Sequence, residues 1–174
     1  MSENISVAVI VGSGSDLEVV NETVKILESF GIKHSINIAS AHRTPEHLKQ
    51  IIQGAESAGA KVFIAAAGMA AALPGVVASE TILPVIGVPM KGKGLASMDA
   101  LFSIVQMPKG VPVATVAIGK AGAINAGVLA AQIIAVADDV MKEKVIAYRK
   151  KQAESVIKED LKLQKDGIEK YIEG

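Results

Sequence analysis

The sequence contains no cysteine and no tryptophan, and aromatic residues make up only 3% of it. Without thiols, neither a disulfide nor a thiolate metal site can form, and three histidines are too few to suggest a structural zinc site. Hydrophobic residues nevertheless make up 50% of the chain, so the core must be built from Ala, Val, Ile and Leu. Such side chains suit a parallel sheet that is buried on both faces.

The chain also lacks an excess of charge of either sign. Lys and Arg number 18, as do Asp and Glu, so no basic surface for nucleic acid or an anionic membrane is expected. The longest apolar stretch, 113–136, is broken by Lys120 and Asn125 before it reaches the roughly 20 residues of a membrane span. The first residues lack the basic and apolar regions of a signal peptide. We therefore expect a cytoplasmic protein.

The sequence does contain a regular alternation of strand and helix patterns. Continuous apolar runs predict strands at 5–11, 32–39, 61–67, 84–88 and 111–118. Amphipathic or Ala-rich segments predict helices at 17–30, 45–58, 76–80, 97–105 and 121–137, and a charged helix at 138–174. Loops are predicted at 68–75 and, rich in Gly and Lys, at 91–94. This alternation predicts an α/β fold, in which an open parallel sheet carries helices on both faces.

We expect one domain over residues 1–174, with a core at about 5–150 and a helical C-terminal extension at 151–174. The charged helix 138–174 carries an apolar stripe among its Lys and Glu residues, formed by Val145, Tyr148, Ala153, Val156 and Ile157. This stripe fits an arm that packs on a neighbouring subunit, and a solvated terminal helix is the alternative. The Ala-rich helix and the 68–75 loop offer much small apolar surface. Such surface predicts a homo-oligomer.

Residues 38–45 carry the most informative side chains. They follow an apolar run, and Pro45 fits the first turn of a helix that Thr44 is expected to cap. His42 can exchange a proton near neutral pH, and Arg43 is a permanent cation suited to phosphate. At the end of a parallel strand, this pair predicts chemistry on a phosphorylated small molecule. A surface loop with two solvated side chains is the alternative.

A second loop, 12–16, lies between the first strand and the first helix. Its glycines permit a tight turn, and helix N-terminal amides with the hydroxyls of Ser13 and Ser15 can hold a phosphate. Asp16 can cap the helix or accept a hydrogen bond from a ribose hydroxyl. The loop lacks the glycine spacing of dinucleotide sites and the Gly-Lys-Ser/Thr of triphosphate loops. A helix cap without a ligand is the alternative here.

Five segments together resemble a known enzyme family. They are Gly-Ser-Gly-Ser-Asp (12–16), Ser-Ala-His-Arg-Thr-Pro (40–45), Ala-Leu-Pro-Gly-Val-Val-Ala (72–78), Pro-Val-Ile-Gly-Val-Pro (84–89) and Asp-Ala-Leu-Phe-Ser-Ile-Val-Gln-Met-Pro-Lys-Gly-Val-Pro-Val (99–113). In this order, over about residues 5–150, they are similar to the class I 5-(carboxyamino)imidazole ribonucleotide mutases of purine biosynthesis. Ser-Ala-His-Arg-Thr-Pro and Ser-Ile-Val-Gln-Met-Pro are the most specific in combination.

The resemblance implies a three-layer flavodoxin-like fold, a homo-octamer, and neither a metal nor an organic cofactor. It also implies an isomerisation in de novo purine (IMP) biosynthesis. The carboxylate on the exocyclic nitrogen of an imidazole ribonucleotide monophosphate moves to ring carbon C4. In this family the carboxylate is released as CO2 in a closed site and recaptured at carbon.

The resemblance further implies roles for individual residues. His42 falls on the family's proton shuttle, and Ser13, Asp16 and Arg43 fall on positions that hold the ribose phosphate. Other substrate-binding positions that line the site fall on Ser15, Ser40, Ala41, Gly68, Met69, Ala70 and Ala71.

The loop after the third strand departs from the family pattern. The family's usual Gly-Gly-Ala-Ala-His-Leu-Pro-Gly is here Gly-Met-Ala-Ala-Ala-Leu-Pro-Gly, so Met69 replaces a glycine and Ala72 replaces a histidine. Ala66 and Ser97 also stand where the family has glycine. Because alanine forms no side-chain hydrogen bond, we expect slower or altered chemistry if that histidine orders the pocket.

The same residues allow two other interpretations of the function. The pincer-cofactor carboxylases share a Gly-Met-x-x-Ala-Leu-Pro loop, which favours a related carboxylase or decarboxylase acting on another ring nucleotide. Ala72 also allows a nucleotide-binding oligomer without catalysis. Of the other histidines, His34 is expected to be structural or to lie at a sheet edge, and His47 lies in the first turn of the second helix, near the site by sequence.

Overall fold

The computed structural model describes residues 4–92 and 95–173, which form a parallel sheet covered by helices. The strands are β1 (Val7–Val11), β2 (His34–Ile38), β3 (Val62–Ala67), β4 (Val85–Pro89) and β5 (Ala114–Thr115). The α-helices are α1 (Leu17–Phe30), α2 (Pro45–Ser57), α3 (Leu73–Glu80), α4 (Met98–Val105), α5 (Lys120–Ala135) and α6 (Asp139–Glu173). Short 3-10 turns, Gly14–Asp16 and Leu95–Ser97, precede α1 and α4. The predictions for residues 1–3, for 93–94 of the 91–94 loop and for Gly174 lie outside the described residues.

The strands pair in the order β2-β1-β3-β4-β5, and every pair is parallel. Strand β1 is central, since Val9 lies opposite Ile36 of β2 on one side and Ile64 of β3 on the other. This strand order is that of the flavodoxin-like fold, so the predicted three-layer architecture is confirmed. The chain changes direction across the sheet between β1 and β3, and a crevice opens at the carboxyl ends of these strands.

Each face of the sheet is covered by three helices. Alternate residues of a strand point to opposite faces, so Val7, Val9 and Val11 pack against α1, α5 and the start of α6. Ala8 and Ile10 face the other way and pack against α2, α3 and α4. The buried strand residues are small and aliphatic, apart from Phe63. The core therefore has the composition that the shortage of aromatic residues predicts.

Helices α1 and α5 approach each other closely. Thr23 of α1 is buried, and its Oγ1 donates a hydrogen bond to the carbonyl oxygen of Ala123 in α5 at 2.7 Å. A Cβ added to Gly127 would lie 2.7 Å from Cγ2 of Ile26 and 3.2 Å from the carbonyl oxygen of Thr23. The small residues of α5 are thus explained by packing within the subunit, and they do not by themselves indicate a subunit contact.

Two elements differ from the sequence prediction. Strand β5 pairs over only two residues, Ala114 and Thr115. A turn precedes it, in which the N–H of Val111 donates a hydrogen bond to the carbonyl oxygen of Pro108 at 3.2 Å. After Thr115 the chain stays beside β4, since the N–H of Val116 bonds to the carbonyl oxygen of Gly87 at 3.1 Å, and α5 then begins at Lys120. Helix α3 begins at Leu73, inside the predicted loop, since Pro74 occupies its first turn, where proline needs no hydrogen-bonded N–H.

Helix α6 extends well beyond the sheet. Its first turns pack on the core through Met141 and Val145, and the ring of Tyr148 lies 5.3 Å from that of Phe30. The helix spans 35 residues and contains a break at Gly167, where φ is 74°. In the single chain, the later residues of the predicted apolar stripe are open to solvent, with Val156 65% and Ile157 58% exposed. Within residues 4–92 and 95–173, no helix is both long and apolar enough to cross a membrane.

We expect Gly127→Ala to lower the free energy of unfolding by about 1–3 kcal/mol, because the added methyl group overlaps Ile26 and the backbone of Thr23. Gly54→Ala in α2 is the matched control, since nothing lies within 4 Å of its added Cβ. This control should gain up to about 1 kcal/mol from helix propensity. Urea unfolding measures both values, and a stabilised Gly127→Ala variant would show that α1 and α5 are not closely packed.

Candidate active site

A cavity of about 610 Å³ opens at the carboxyl ends of β1, β2, β3 and β4. All of the predicted site residues line it: Ser13, Ser15, Asp16, Ser40, Ala41, His42, Arg43, Gly68, Met69, Ala70, Ala71 and Ala72. The sequence did not single out six further lining residues: Gly12, Ala67, Leu73, Met90, Lys91 and Gly92. The cavity therefore occupies the crevice where ligands bind in open parallel sheets.

The loop after β1 is held by its own serines. Ser13 accepts a hydrogen bond at its Oγ from the N–H of Ser15, at 3.3 Å, and so caps the turn Gly14–Asp16. The hydroxyl of Ser15 donates a second bond to the same oxygen at 3.1 Å. The chain itself therefore sets the shape of this loop, and hydroxyl groups lie beside the cavity.

Asp16 occupies the N-cap position of α1, but its carboxylate makes no capping hydrogen bond. Of its two predicted roles, capping is therefore wrong, since the carboxylate lines the cavity instead. Partial burial raises the pKa of Asp16 above its usual 3.8, because burial disfavours the charged form. A carboxylate repels phosphate, so this position suits a ribose hydroxyl better.

Thr44 does not cap helix α2 as expected. Its Oγ1 accepts a hydrogen bond from the N–H of Ser40 at 2.9 Å and donates one to the carbonyl oxygen of Ser40 at 3.2 Å. The N–H of Thr44 bonds to the same carbonyl oxygen at 2.9 Å. The tight turn brings the hydroxyl to the backbone of Ser40, so Thr44 closes the loop on itself and leaves the helix without a side-chain cap.

Arg43 links the loops after β1 and β2. Its Nη2 donates a hydrogen bond to the carbonyl oxygen of Gly12 at 3.2 Å, and its Nε donates one to Oγ of Ser40 at 3.3 Å. These bonds occupy two of the five donors of the guanidinium group, which leaves the others for an anion. Arg43 thus holds the two loops together and places a permanent positive charge at the cavity.

The three histidines occupy different environments. His42 is exposed and lines the cavity. Nδ1 of His34 lies 3.0 Å from the carbonyl oxygen of Ile32, which fits the structural role expected of it. His47 is exposed in the first turn of α2 and does not line the cavity. Among the residues that the structure describes, no cluster of His, Cys, Asp and Glu is suited to a metal ion.

The wall formed by residues 67–73 carries no polar side chain. Met69 is 77% exposed and has a φ of 57°, in the left-handed region that favours glycine. Ala72 stands at the N-cap position of α3 and lines the cavity, but alanine has no group that could cap the helix. This wall therefore has no side chain that could transfer a proton.

The loop after β4 also reaches the cavity, through Met90, Lys91 and Gly92. The N–H of Met90 donates a hydrogen bond to the carbonyl oxygen of Ala67 at 2.9 Å, which draws the two loops together. The sequence reasoning missed these residues. The signal that could have found them is the position of Lys91 in the predicted loop that follows the fourth strand, since the loops after the strands of a parallel sheet lie at the same end of it.

Comparison with known proteins identifies the family of this chain. The family model described as AIR carboxylase matches residues 6–155. The chain belongs to the AIR carboxylase family. The N5-carboxyaminoimidazole ribonucleotide mutase of Haemophilus influenzae is 47% identical over 157 residues, which cover 90% of this chain and 96% of that protein. The enzyme of the same name from Pyrococcus horikoshii is 48% identical over 171 residues, which cover 98% and 96%.

The fold of this AIR carboxylase family member also matches a solved structure. Treponema denticola PurE superposes with a TM-score of 0.82 at 31% sequence identity, covering 90% of this chain and 97% of that chain. The family match ends at residue 155, within α6, whereas the Pyrococcus relative aligns with 98% of the chain. That relative therefore shares nearly all of the C-terminal extension.

We expect Asp16→Asn to raise the free energy of unfolding near neutral pH. The pKa of Asp16 is higher in the folded protein than in the unfolded chain, so the free energy of unfolding falls as pH rises from 3.8 to the folded-state pKa. Asparagine does not ionise, so the variant does not lose this stability. The gain should therefore vanish as pH falls below 3.8. Urea unfolding across this pH range measures the difference, with Glu143→Gln on the exposed side of α6 as the control. A gain that is independent of pH would contradict burial as its cause.

Proposed function

We propose that the chain is a 5-(carboxyamino)imidazole ribonucleotide mutase, an isomerase of purine biosynthesis. It converts its substrate to 4-carboxy-5-aminoimidazole ribonucleotide. The proposal rests on one observation: His42, Arg43 and the 12–16 loop line the same cavity. The family and the mutase names of the relatives support it.

The polar side of the cavity suits a ribose phosphate. Arg43 offers guanidinium donors, and Ser13 and Ser15 offer hydroxyls beside the start of α1. Asp16 accepts a hydrogen bond from a ribose hydroxyl. These contacts lie away from the reacting ring, so they supply binding energy that positions the ring for reaction.

His42 accounts for both proton transfers. Loss of CO2 from the exocyclic nitrogen leaves that nitrogen one proton short, and the imidazolium form of His42 supplies it. When C4 of the ring then attacks CO2, C4 still carries its hydrogen, and neutral His42 removes this proton. One histidine that begins and ends protonated therefore completes the isomerisation without a net exchange of protons.

The apolar wall suits the CO2 intermediate. Residues 67–73 carry no group that hydrogen-bonds strongly to water through a side chain, and the carboxyl transfer requires CO2 to stay beside the ring. A site that excludes water limits both loss of CO2 and its hydration.

Met69 and Ala72 favour a second candidate function, a related carboxylase or decarboxylase that acts on another ring nucleotide. A nucleotide-binding oligomer without catalysis is a third. Incubation with carboxyaminoimidazole ribonucleotide separates these functions. Isomerisation supports the mutase, and tight binding without turnover supports the non-catalytic protein. Consumption of CO2 with a nicotinate-derived nucleotide supports the second candidate.

We also propose that the protein assembles into a homo-octamer. The family resemblance supports this, as does an apolar patch on α4, where Phe102 is 54% exposed and Val105 49% exposed. Light scattering at micromolar concentration should give a mass about eight times the 18.0 kDa of the chain. A particle with the mass of a single chain would contradict the proposed octamer. The cytoplasmic location and the single domain over 1–174 stay predictions from the sequence.

We expect His42→Asn to lower the isomerisation rate by about 100- to 10,000-fold, the usual contribution of a positioned proton carrier. Binding of the nucleotide should change little, because Arg43 and the 12–16 loop are intact. Initial rates with carboxyaminoimidazole ribonucleotide, together with titration calorimetry, measure the two effects. Substantial residual turnover would remove His42 from the shuttle role.

Ala72→His is the companion variant. It should raise turnover in the parent, but it should not rescue His42→Asn, because position 72 lies on the loop after β3 whereas His42 lies on the loop after β2. The four proteins of this cycle are compared by initial rate. A parent that gains nothing from Ala72→His would show that the wall functions without the family histidine.

A further inference from the structure

The polar side chains of the cavity are concentrated on one side. The loops after β1 and β2 contribute all but one of them: Ser13, Ser15, Asp16, Ser40, His42 and Arg43. The loops after β3 and β4 contribute residues 67–73 and 90–92, which are Ala, Gly, Leu or Met except for Lys91. Among the described residues on this second side, Lys91 is therefore the one lining residue that carries a charge or a side-chain hydrogen-bond donor.

The backbone is fixed on both sides of Lys91. Met90 is buried, and its N–H is bonded to the carbonyl oxygen of Ala67 at 2.9 Å. The N–H of Gly92 donates a hydrogen bond to Oγ of Ser97 at 2.9 Å. Ser97 is itself buried, with a φ of 68°. These contacts fix the backbone from which the side chain of Lys91 extends at the cavity.

The ammonium group of Lys91 has no carboxylate partner among the described residues. The ion pairs found there involve Lys25, Lys49, Lys120, Lys150 and Lys170. Lys91 is exposed and lines the cavity beside an apolar wall, so its ammonium group can donate hydrogen bonds to an anion that enters the cavity. The second side of the cavity is thus suited to a small anion.

The proposed substrate carries two anionic groups at opposite ends. Its phosphate fits the loops after β1 and β2, where Arg43 lies. The carboxylate on the imidazole must then lie towards the other side of the cavity. We propose that Lys91 binds this transferred carboxylate, before the transfer and again after it. This inference rests on the proposed mutase function and adds a substrate-binding residue to it.

The test compares two nucleotides that differ only in the carboxylate. In titration calorimetry, Lys91→Gln should bind 4-carboxy-5-aminoimidazole ribonucleotide roughly ten- to a hundred-fold more weakly than the parent does. It should bind 5-aminoimidazole ribonucleotide, which has no carboxylate, as the parent does. Lys91→Arg keeps the charge and should retain most of the affinity for the carboxylated nucleotide.

Two further variants are controls for charge and for site. Lys61→Gln removes the same charge at an exposed position directly before β3. This position lies at the amino ends of the strands, whereas the cavity lies at their carboxyl ends, so the variant should change neither affinity. Arg43→Ala should weaken the binding of both nucleotides by the same factor, because both carry the phosphate. Thermal unfolding of each variant establishes that it is folded.

The outcomes distinguish this inference from the function on which it rests. Unchanged affinity of Lys91→Gln for the carboxylated nucleotide, or equal losses for both nucleotides, would overturn the role of Lys91 while leaving the mutase function in place. A parent that binds neither nucleotide would overturn the mutase function and this inference with it.

Discussion

The parallel pairing of β1 between β2 and β3 is the constraint on which the candidate site depends. This pairing requires that both faces of the sheet are buried, and the Ala, Val and Ile side chains of β1 and β3 satisfy that requirement. It also reverses the direction in which the chain crosses the sheet. The loops after the first four strands consequently meet around one cavity, although they are far apart in sequence.

Arg43 connects this architecture to the chemistry of the cavity. Its hydrogen bonds to Gly12 and Ser40 join two loops that the sheet brings together, and its other donors remain for an anion. The cavity is divided into this polar side and the apolar side formed by 67–73. A phosphorylated substrate that passes through CO2 needs both, since the phosphate requires charge and CO2 requires shelter from water.

Local backbone conformations shape the side of the cavity opposite Arg43. Met69 and Ser97 both have positive φ angles, of 57° and 68°. The hydroxyl of Ser97 bonds to Gly92, so this side chain supports the loop that carries Lys91. The wall after β3 has no polar side chain, and Lys91 is the charged lining residue among those described on that side.

The sequence by itself determined the alternation of strands and helices, the bounds of α1 and the loops that carry His42, Arg43 and the serines. These features depend on periodicity and on local residue chemistry, which the sequence shows directly. Only the tertiary structure decided that β5 pairs over two residues, that Thr44 bonds to Ser40 rather than capping α2, and that Asp16 leaves α1 uncapped. It also decided that Lys91 joins the site. The pairing of β5 and the position of Lys91 depend on which strands lie side by side in the sheet, and spacing along the chain does not specify that arrangement. The bonds of Thr44 and the position of the Asp16 carboxylate depend on the backbone conformation of their own loops, which residue type alone does not fix.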